Sequence, residues 1–180
     1  MCNDELKLEK KRLVRLSGIA YESLSNGPGM RRVLFSQGCL HECDGCFNPS
    51  THSFCGGKLK DMDILIDDIK NNPILKGVTF SGGDPFEQAD EFAYIAKGVK
   101  KLGLDIWCYT GYTYEYILEN NCNRQGFNEL LKNIDVLVDG KFEINKKSIR
   151  LKFRGSSNQR IIDVKASLSS GEVVILDYDN

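Results

Sequence analysis

Four short apolar runs recur along this chain with amphipathic stretches between them, and the last three are spaced by 27 residues (Phe80 to Trp107) and 30 residues (Trp107 to Leu137). Residues 32–35, 78–80, 104–109 and 134–138 are rich in β-branched and aromatic side chains, as is typical of buried strands. Strands about 30 residues apart with a helix between them indicate βαβ units, which have right-handed crossovers and parallel strands. The spacing therefore predicts an α/β fold built on a parallel sheet.

Helical periodicity fills the gaps between the predicted strands. Met62, Leu65, Ile66 and Ile69 follow the i, i+3, i+4, i+7 pattern, and apolar residues within 89–102 and 127–134 repeat it. Four βα units are too few for an eight-stranded barrel. We therefore predict an incomplete, truncated parallel (β/α) barrel of one domain, residues 1–180.

The regular alternation stops after Gly140. Residues 159–165 and 171–178 have the composition of two further strands, and a Ser-rich segment separates them. We expect them to form a C-terminal strand pair joined by a turn at residues 167–171.

Composition narrows the possible environments and partners. Twenty-four basic and 25 acidic residues give a net charge of -1, so no overall field attracts nucleic acid or an anionic membrane. No stretch approaches the ~18 apolar residues that a membrane span needs. Seven cysteines, an odd number, and a start without an apolar signal segment favour the cytoplasm, where thiols stay reduced.

Three cysteines follow the first predicted strand in a C-x3-C-x2-C pattern, at Cys39, Cys43 and Cys46. Thiolates this close together can hold an iron–sulfur cluster or zinc. Cys43 and Cys46 alone could also form a redox dithiol. A zinc site would take its fourth ligand from one of three residues: Cys55, His41 or His52.

The remaining cysteines have no ligand spacing among themselves, and we expect free thiols there. They are Cys2, Cys55, Cys108 and Cys122. Among them, Cys55 lies nearest in sequence to the C-x3-C-x2-C loop and is the main candidate for a fourth ligand.

Glycine and polar residues follow the other predicted strands: Gly82, Gly83 and Asp84 after the second, Thr110 after the third, and Asp139 and Lys141 after the fourth. The carboxyl ends of parallel strands meet at one edge, so these residues should share a site with the cysteines. Simpler structural roles remain open for the polar ones. Asp84 before a proline also fits a helix N-cap, the Thr110 loop could cap a helix starting at Thr113, and Asp139 and Lys141 could form a solvated turn.

Further motifs complete the pattern: GPGMR at 27–31, SGGDP at 81–85, VDGKF at 138–142 and RGSSNQR at 154–160. Together with the cysteine loop they resemble the radical S-adenosylmethionine (radical SAM) superfamily. Within it they are most similar to activating proteins of glycyl-radical enzymes, in particular those of anaerobic ribonucleoside-triphosphate reductases. The ordered motifs span residues 26–160, most of the chain.

The resemblance implies that Cys39, Cys43 and Cys46 hold a [4Fe-4S] cluster, whose fourth iron binds S-adenosylmethionine. It also implies three sets of cofactor-binding residues. Gly82, Gly83 and Asp84 would receive the methionine amino group; Gly45, Cys46 and Phe47 would lie against the adenosine; Asp139 and Lys141 would serve the methionine carboxylate. Thr110 is a candidate for the ribose.

The activity implied is that of a radical SAM oxidoreductase. A flavodoxin- or ferredoxin-type donor would reduce the cluster, and S-adenosylmethionine would be cleaved to methionine and a 5′-deoxyadenosyl radical. That radical would remove a Cα hydrogen from a glycine of the partner, an anaerobic (class III) ribonucleotide reductase. Two alternatives remain: a radical SAM enzyme acting on a small molecule, similar to carboxy-deazaguanine synthase, and a zinc-stabilised binding module.

Residues 141–165 carry eight basic and two acidic side chains. They could form an ordinary solvated face. Alternatively, six of the basic residues could dock the partner reductase: Lys146, Lys147, Arg150, Lys152, Arg154 and Arg160.

Overall fold

Seven strands form one sheet in the computed structural model, which describes residues 12–120 and 122–179. They are β1 (Leu13–Ser23), β2 (Arg31–Ser36), β3 (Lys58–Asp61), β4 (Gly77–Gly82), β5 (Asp105–Tyr109), β6 (Val136–Asp139) and β7 (Arg160–Asp163). Their order is β3-β1-β2-β4-β5-β6-β7. β2, β4, β5 and β6 are mutually parallel, while β1, β3 and β7 pair antiparallel. The four predicted strands and their parallel arrangement are confirmed, and the barrel curvature stays a prediction.

Five helices accompany the sheet: α1 (Met62–Lys70), α2 (Ala89–Lys101), α3 (Tyr114–Glu119), α4 (Phe127–Asn133) and α5 (Val164–Ser170). The three predicted amphipathic helices are α1, α2 and α4, and α2 packs between the other two. Thr113 caps α3 by accepting a hydrogen bond from the Tyr116 amide, as the sequence allowed.

Apolar clusters lie on both faces of the sheet. Ile106 and Cys108 belong to the larger cluster with the helices, whereas Trp107 belongs to a smaller one that includes Val138. Alternate residues of a strand point to opposite faces, so β5 contributes to both. On the second face, Tyr109 lies at the carboxyl end of β5. This face therefore extends to the edge of the sheet formed by the carboxyl ends of the parallel strands, called the rim below, where the predicted site residues lie.

The predicted C-terminal strand pair is wrong in its second half. β7 is present, but the Ser-rich segment after it is helix α5, not a turn, and residues 172–179 form no strand beyond one isolated bridge between Ile162 and Ile175. Asp163 accepts a hydrogen bond from the Ala166 amide and begins the helix, and Gly171, with φ of +75°, ends it. These cap residues outweigh the low helix propensity of serine.

Two strands are absent from the sequence prediction. β3 is short, exposed and rich in lysine, as edge strands often are. β1 has two register shifts against β2, which break the alternation by which a strand is recognised. Within residues 12–120 and 122–179, none of the helices combines the length and the apolar character needed to cross a membrane.

Candidate functional site

A pocket lies at the carboxyl ends of the parallel strands and gathers most of the predicted site residues. Those lining it are Cys39, Cys43, Cys46, Phe47, Gly82, Gly83 and Thr110. The loops after β2, β4, β5 and β6 all reach it. The convergence expected from parallel-strand topology is therefore present.

Backbone hydrogen bonds hold the cysteine loop against the next segment. The Gly38 amide donates to the Thr51 carbonyl at 2.8 Å, and the Cys39 amide donates to the His52 carbonyl at 3.1 Å. Within the loop, the Cys46 amide donates to the Cys43 carbonyl at 3.1 Å, in a turn that contains Gly45. The loop is thus fixed at both ends, and its three thiols share one pocket.

The three thiols are free and partly buried. Burial raises the pKa of Cys39 to about 11 and also raises the pKa of Cys43. Metal-free thiols of this kind keep their protons, which iron must displace when it binds. Over residues 12–120 and 122–179, no three His, Cys, Asp or Glu side chains are arranged to hold one metal ion. A zinc ion needs its ligands around one common centre, whereas a cubane takes one thiolate on each of its irons.

Glycine at position 83 permits a very close approach between two loops of the rim. A Cβ atom there would lie 2.3 Å from the Gly38 carbonyl oxygen. The Gly83 amide donates to the Ser36 carbonyl, and the Asp84 amide donates to the Gly38 carbonyl. The Gly-Gly segment therefore joins the end of β4 to the start of the cysteine loop. Because glycine has no side chain, main-chain atoms of this segment form part of the pocket wall.

Asp84 lies behind the pocket wall and is fully buried. Its carboxylate accepts hydrogen bonds from the Phe86 amide at 2.9 Å, the Thr110 hydroxyl at 2.8 Å and the Gly111 amide at 2.9 Å. His41 Nε2 lies 2.7 Å from the same carboxylate. Asp84 is thus the predicted N-cap and also ties together three loops of the rim. Its contact with S-adenosylmethionine stays a prediction.

Asp139 is also buried behind the rim. Its carboxylate accepts a hydrogen bond from the Tyr114 amide at 2.8 Å and pairs with Arg160. Arg160 donates to both oxygens of Glu115 as well, and these carboxylates raise its pKa. Lys141 is exposed on an adjoining pocket, close enough to Cys43 for its charge to favour the thiolate.

Aromatic side chains border the cysteine loop. Phe47 is 59% exposed, its ring centroid lies 4.9 Å from that of Phe142, and the Lys147 ammonium lies 5.0 Å from it. Phe47 thus has an open surface beside the pocket, as an adenine-stacking role requires. The Thr110 hydroxyl, in contrast, is already bonded to Asp84.

The remaining cysteines lie outside the pocket as far as they are described. Cys55 is exposed, Cys108 is buried in β5 with its pKa raised by burial, and Cys122 is exposed. Cys2 lies outside the described residues. Cys55 therefore does not stand beside the three-cysteine loop as a pocket residue.

Several of the basic residues proposed for docking have acidic partners. Lys146 pairs with Glu143, Arg154 with Asp179, and Arg160 with Asp139 and Glu115. These four ion pairs hold the side chains in local contacts, so the docking hypothesis now depends mainly on Lys147 and Arg150.

Tyr109, Phe142 and Gln159 also line the pocket. The sequence analysis assigns none of them a role, although Phe142 and Gln159 lie within the motifs at 138–142 and 154–160. Tyr109 ends the third predicted strand, so its position at the rim was a usable signal. Gln159 acts mainly on the main chain, since its side chain accepts from the Gly155 amide and donates to the Gly140 carbonyl. No spacing rule reveals such a contact.

Comparison with known proteins identifies the family. A family model described as a 4Fe-4S single cluster domain matches residues 25–162. Anaerobic ribonucleoside-triphosphate reductase-activating proteins are similar along most of their length. The one from phage T4 is 39% identical over 142 residues, covering 76% of this chain and 85% of that protein. That of Pasteurella multocida is 39% identical over 145 residues (76% and 89%), and that of Escherichia coli K12 is 41% identical over 143 residues (74% and 88%). The chain belongs to the family of anaerobic ribonucleoside-triphosphate reductase-activating proteins.

Proposed function

We propose that this chain activates an anaerobic ribonucleoside-triphosphate reductase by placing a radical on one of its glycine residues. A reduced [4Fe-4S] cluster held by the three cysteines would supply one electron for the cleavage of S-adenosylmethionine to methionine and a 5′-deoxyadenosyl radical, and that radical would take the glycine Cα hydrogen. The observation that carries this proposal is the single pocket formed by three thiols and the glycine-rich strand ends. The names of the similar proteins support the choice of partner.

Cys39, Cys43 and Cys46 would each hold one iron of the cluster, leaving a fourth iron for S-adenosylmethionine. The donor set fits, because thiolates are the ligands of such clusters and three free thiols line one pocket. The Asn48 amide already donates to the Cys46 sulfur at 3.4 Å. Hydrogen bonds of this kind help to set a cluster's reduction potential.

The main chain of Gly82 and Gly83 would receive the methionine ammonium, because it lines the pocket while the Asp84 carboxylate is fully occupied behind it. Lys141 would provide a positive charge for the methionine carboxylate. Asp139 would position the loop before that lysine through its bond to the Tyr114 amide. Gly45, Cys46 and Phe47 would border the adenosine, and Thr110 the ribose side.

A second pocket adjoins the first along the face of the sheet that carries Trp107. It shares Phe47, Tyr109 and Phe142 with the first pocket and extends to Phe35 and Phe153. We propose that the glycine-bearing segment of the reductase enters here, because this pocket shares part of its wall with the cysteine pocket. A segment lacking a side chain at its reactive residue can approach the shared wall closely.

The electron for each activation would come from a flavodoxin- or ferredoxin-type donor. We propose a cytoplasmic location for the reaction, since thiols stay reduced there. We propose no role in nucleic-acid or membrane binding, and the residues 1–180 are proposed to act as one radical SAM domain.

The function is tested by anaerobic reconstitution followed by electron paramagnetic resonance with the purified reductase. We expect a glycyl radical on the reductase and one 5′-deoxyadenosine formed per radical. Cys43→Ser should abolish the cluster and both products. Cys55→Ser is the matched control, since it removes an exposed thiol outside the pocket and should leave them unchanged.

A different outcome would redirect the assignment. Cleavage of S-adenosylmethionine with no reductase radical, together with turnover of a small molecule, would support the small-molecule alternative. One zinc, with neither iron nor acid-labile sulfide after reconstitution, would support the binding module.

A further inference from the structure

The two histidines near the cysteine loop have different environments. His41 is satisfied, because its Nε2 lies 2.7 Å from the Asp84 carboxylate and its ring meets that of Tyr112. His52 also lines the pocket, yet its Nε2 is buried and has no hydrogen-bond partner among the described residues. A buried polar atom without a partner costs free energy, so native proteins rarely leave one unsatisfied.

The position of His52 is set by the cluster loop itself. The main-chain carbonyl of His52 accepts a hydrogen bond from the amide of Cys39, so the two residues lie side by side. Neutral histidine can carry its proton on Nε2 and thus acts as a donor there. His52 lines the cysteine pocket next to Cys39, so a cluster held by the thiols offers an acceptor in the same pocket.

We propose that His52 donates a hydrogen bond from Nε2 to a sulfur of the iron–sulfur cluster and thereby raises its reduction potential. The inference rests on the proposed function. Reduction adds negative charge to the cluster, and a donor directed at a sulfur stabilises the reduced form more than the oxidised one. His52 is thus a positioning and tuning residue, distinct from the thiolates that hold the irons.

Three variants test the donor. His52→Phe keeps a ring without a hydrogen-bonding group, His52→Leu removes the ring, and His52→Gln places an amide donor close to the position of Nε2. Each variant is reconstituted anaerobically and its iron and sulfide contents are measured. The reduction potential of the cluster is then determined without S-adenosylmethionine by a redox titration followed by electron paramagnetic resonance. At a fixed solution potential, we expect His52→Phe and His52→Leu to lower the ratio of reduced to oxidised cluster about tenfold. For a one-electron couple this corresponds to a reduction potential lower by about 59 mV. His52→Gln should remain close to wild type.

The contradicting results are distinct. Equal potentials in all loaded variants would overturn the hydrogen bond, and so would equal shifts in His52→Gln and His52→Phe, which would indicate packing alone. An unchanged potential with weaker S-adenosylmethionine binding would place the donor on that molecule and refute the cluster contact. If the wild-type chain itself holds no cluster, the proposed function fails instead, so the two failures can be told apart.

Discussion

Replacing Asp84 by alanine should destabilise the whole rim of the site. The carboxylate is fully buried and accepts hydrogen bonds from the Phe86 amide, the Thr110 hydroxyl and the Gly111 amide, with His41 beside it. Alanine would leave three neutral donors without an acceptor. The loops after β2, β4 and β5 would lose their common contact.

The magnitude follows from those three donors. An unsatisfied buried donor costs about 1–3 kcal/mol, so three give roughly 3–9 kcal/mol. Water can enter the space left by the carboxylate, and the hydroxyl of Thr110 can rotate, which favours the lower end. We therefore expect Asp84→Ala to lower the free energy of unfolding by about 3–4 kcal/mol, a large part of the total of a typical domain.

Urea unfolding of the metal-free protein measures this loss, with the slope compared between variants. Asp44→Ala is the matched control, because Asp44 is an exposed carboxylate in the cysteine loop and should leave stability near wild type. Asp84→Asn retains one acceptor oxygen, so its loss of unfolding free energy should lie between those of Asp84→Ala and Asp44→Ala. A loss below about 1 kcal/mol for Asp84→Ala would refute the view that this residue holds the rim together.

Two further substitutions, one of them with a control variant, test other parts of the structure. Gly82→Ala places a Cβ 2.6 Å from the Ser36 amide nitrogen at a φ of +100°, and should reduce stability and cluster loading. Gly103→Ala is the control, because its φ is +76° but a Cβ there has nothing within 4 Å, so it should cost only the backbone strain of about 1–2 kcal/mol. Equal losses of unfolding free energy in the two glycine variants, measured by urea unfolding, would contradict the steric argument. Arg150→Glu should slow association with the reductase, most strongly at low salt, as measured by stopped-flow or surface binding. An association rate that does not depend on salt would remove the docking role.

The parallel core could be predicted because its strands are buried on both faces. β4 and β5 read as continuous apolar runs, and the helices between them have clear periodicity. β1 and β3 could not be predicted in this way. Register shifts in β1 and exposed lysines in β3 remove the alternation that marks a strand, although the backbone still pairs. Helix α5 was missed because its cap residues, Asp163 and Gly171, act through geometry that serine content conceals.

For the site, the cysteine pocket could be predicted because it needs only spacing and strand order. The environment of each polar residue could not be predicted from the sequence. The burial of Asp84 depends on donors 2 and 27 positions away, brought together by the ends of different strands. The difference between His41 and His52 depends on a single acceptor, which no pattern in the loop encodes.

The two acidic residues of the rim share one structural role, and this bears on how the site works. Asp84 accepts from the Gly111 amide, and Asp139 accepts from the Tyr114 amide, so both carboxylates fix the same segment after β5. Because each is buried and fully bonded, it sets the distance between loops and leaves little capacity for a ligand. Binding would therefore fall to the thiols and the glycine main chain in front of them. Buried carboxylates behind and free thiols in front would give the rim the preorganisation that the proposed radical chemistry needs.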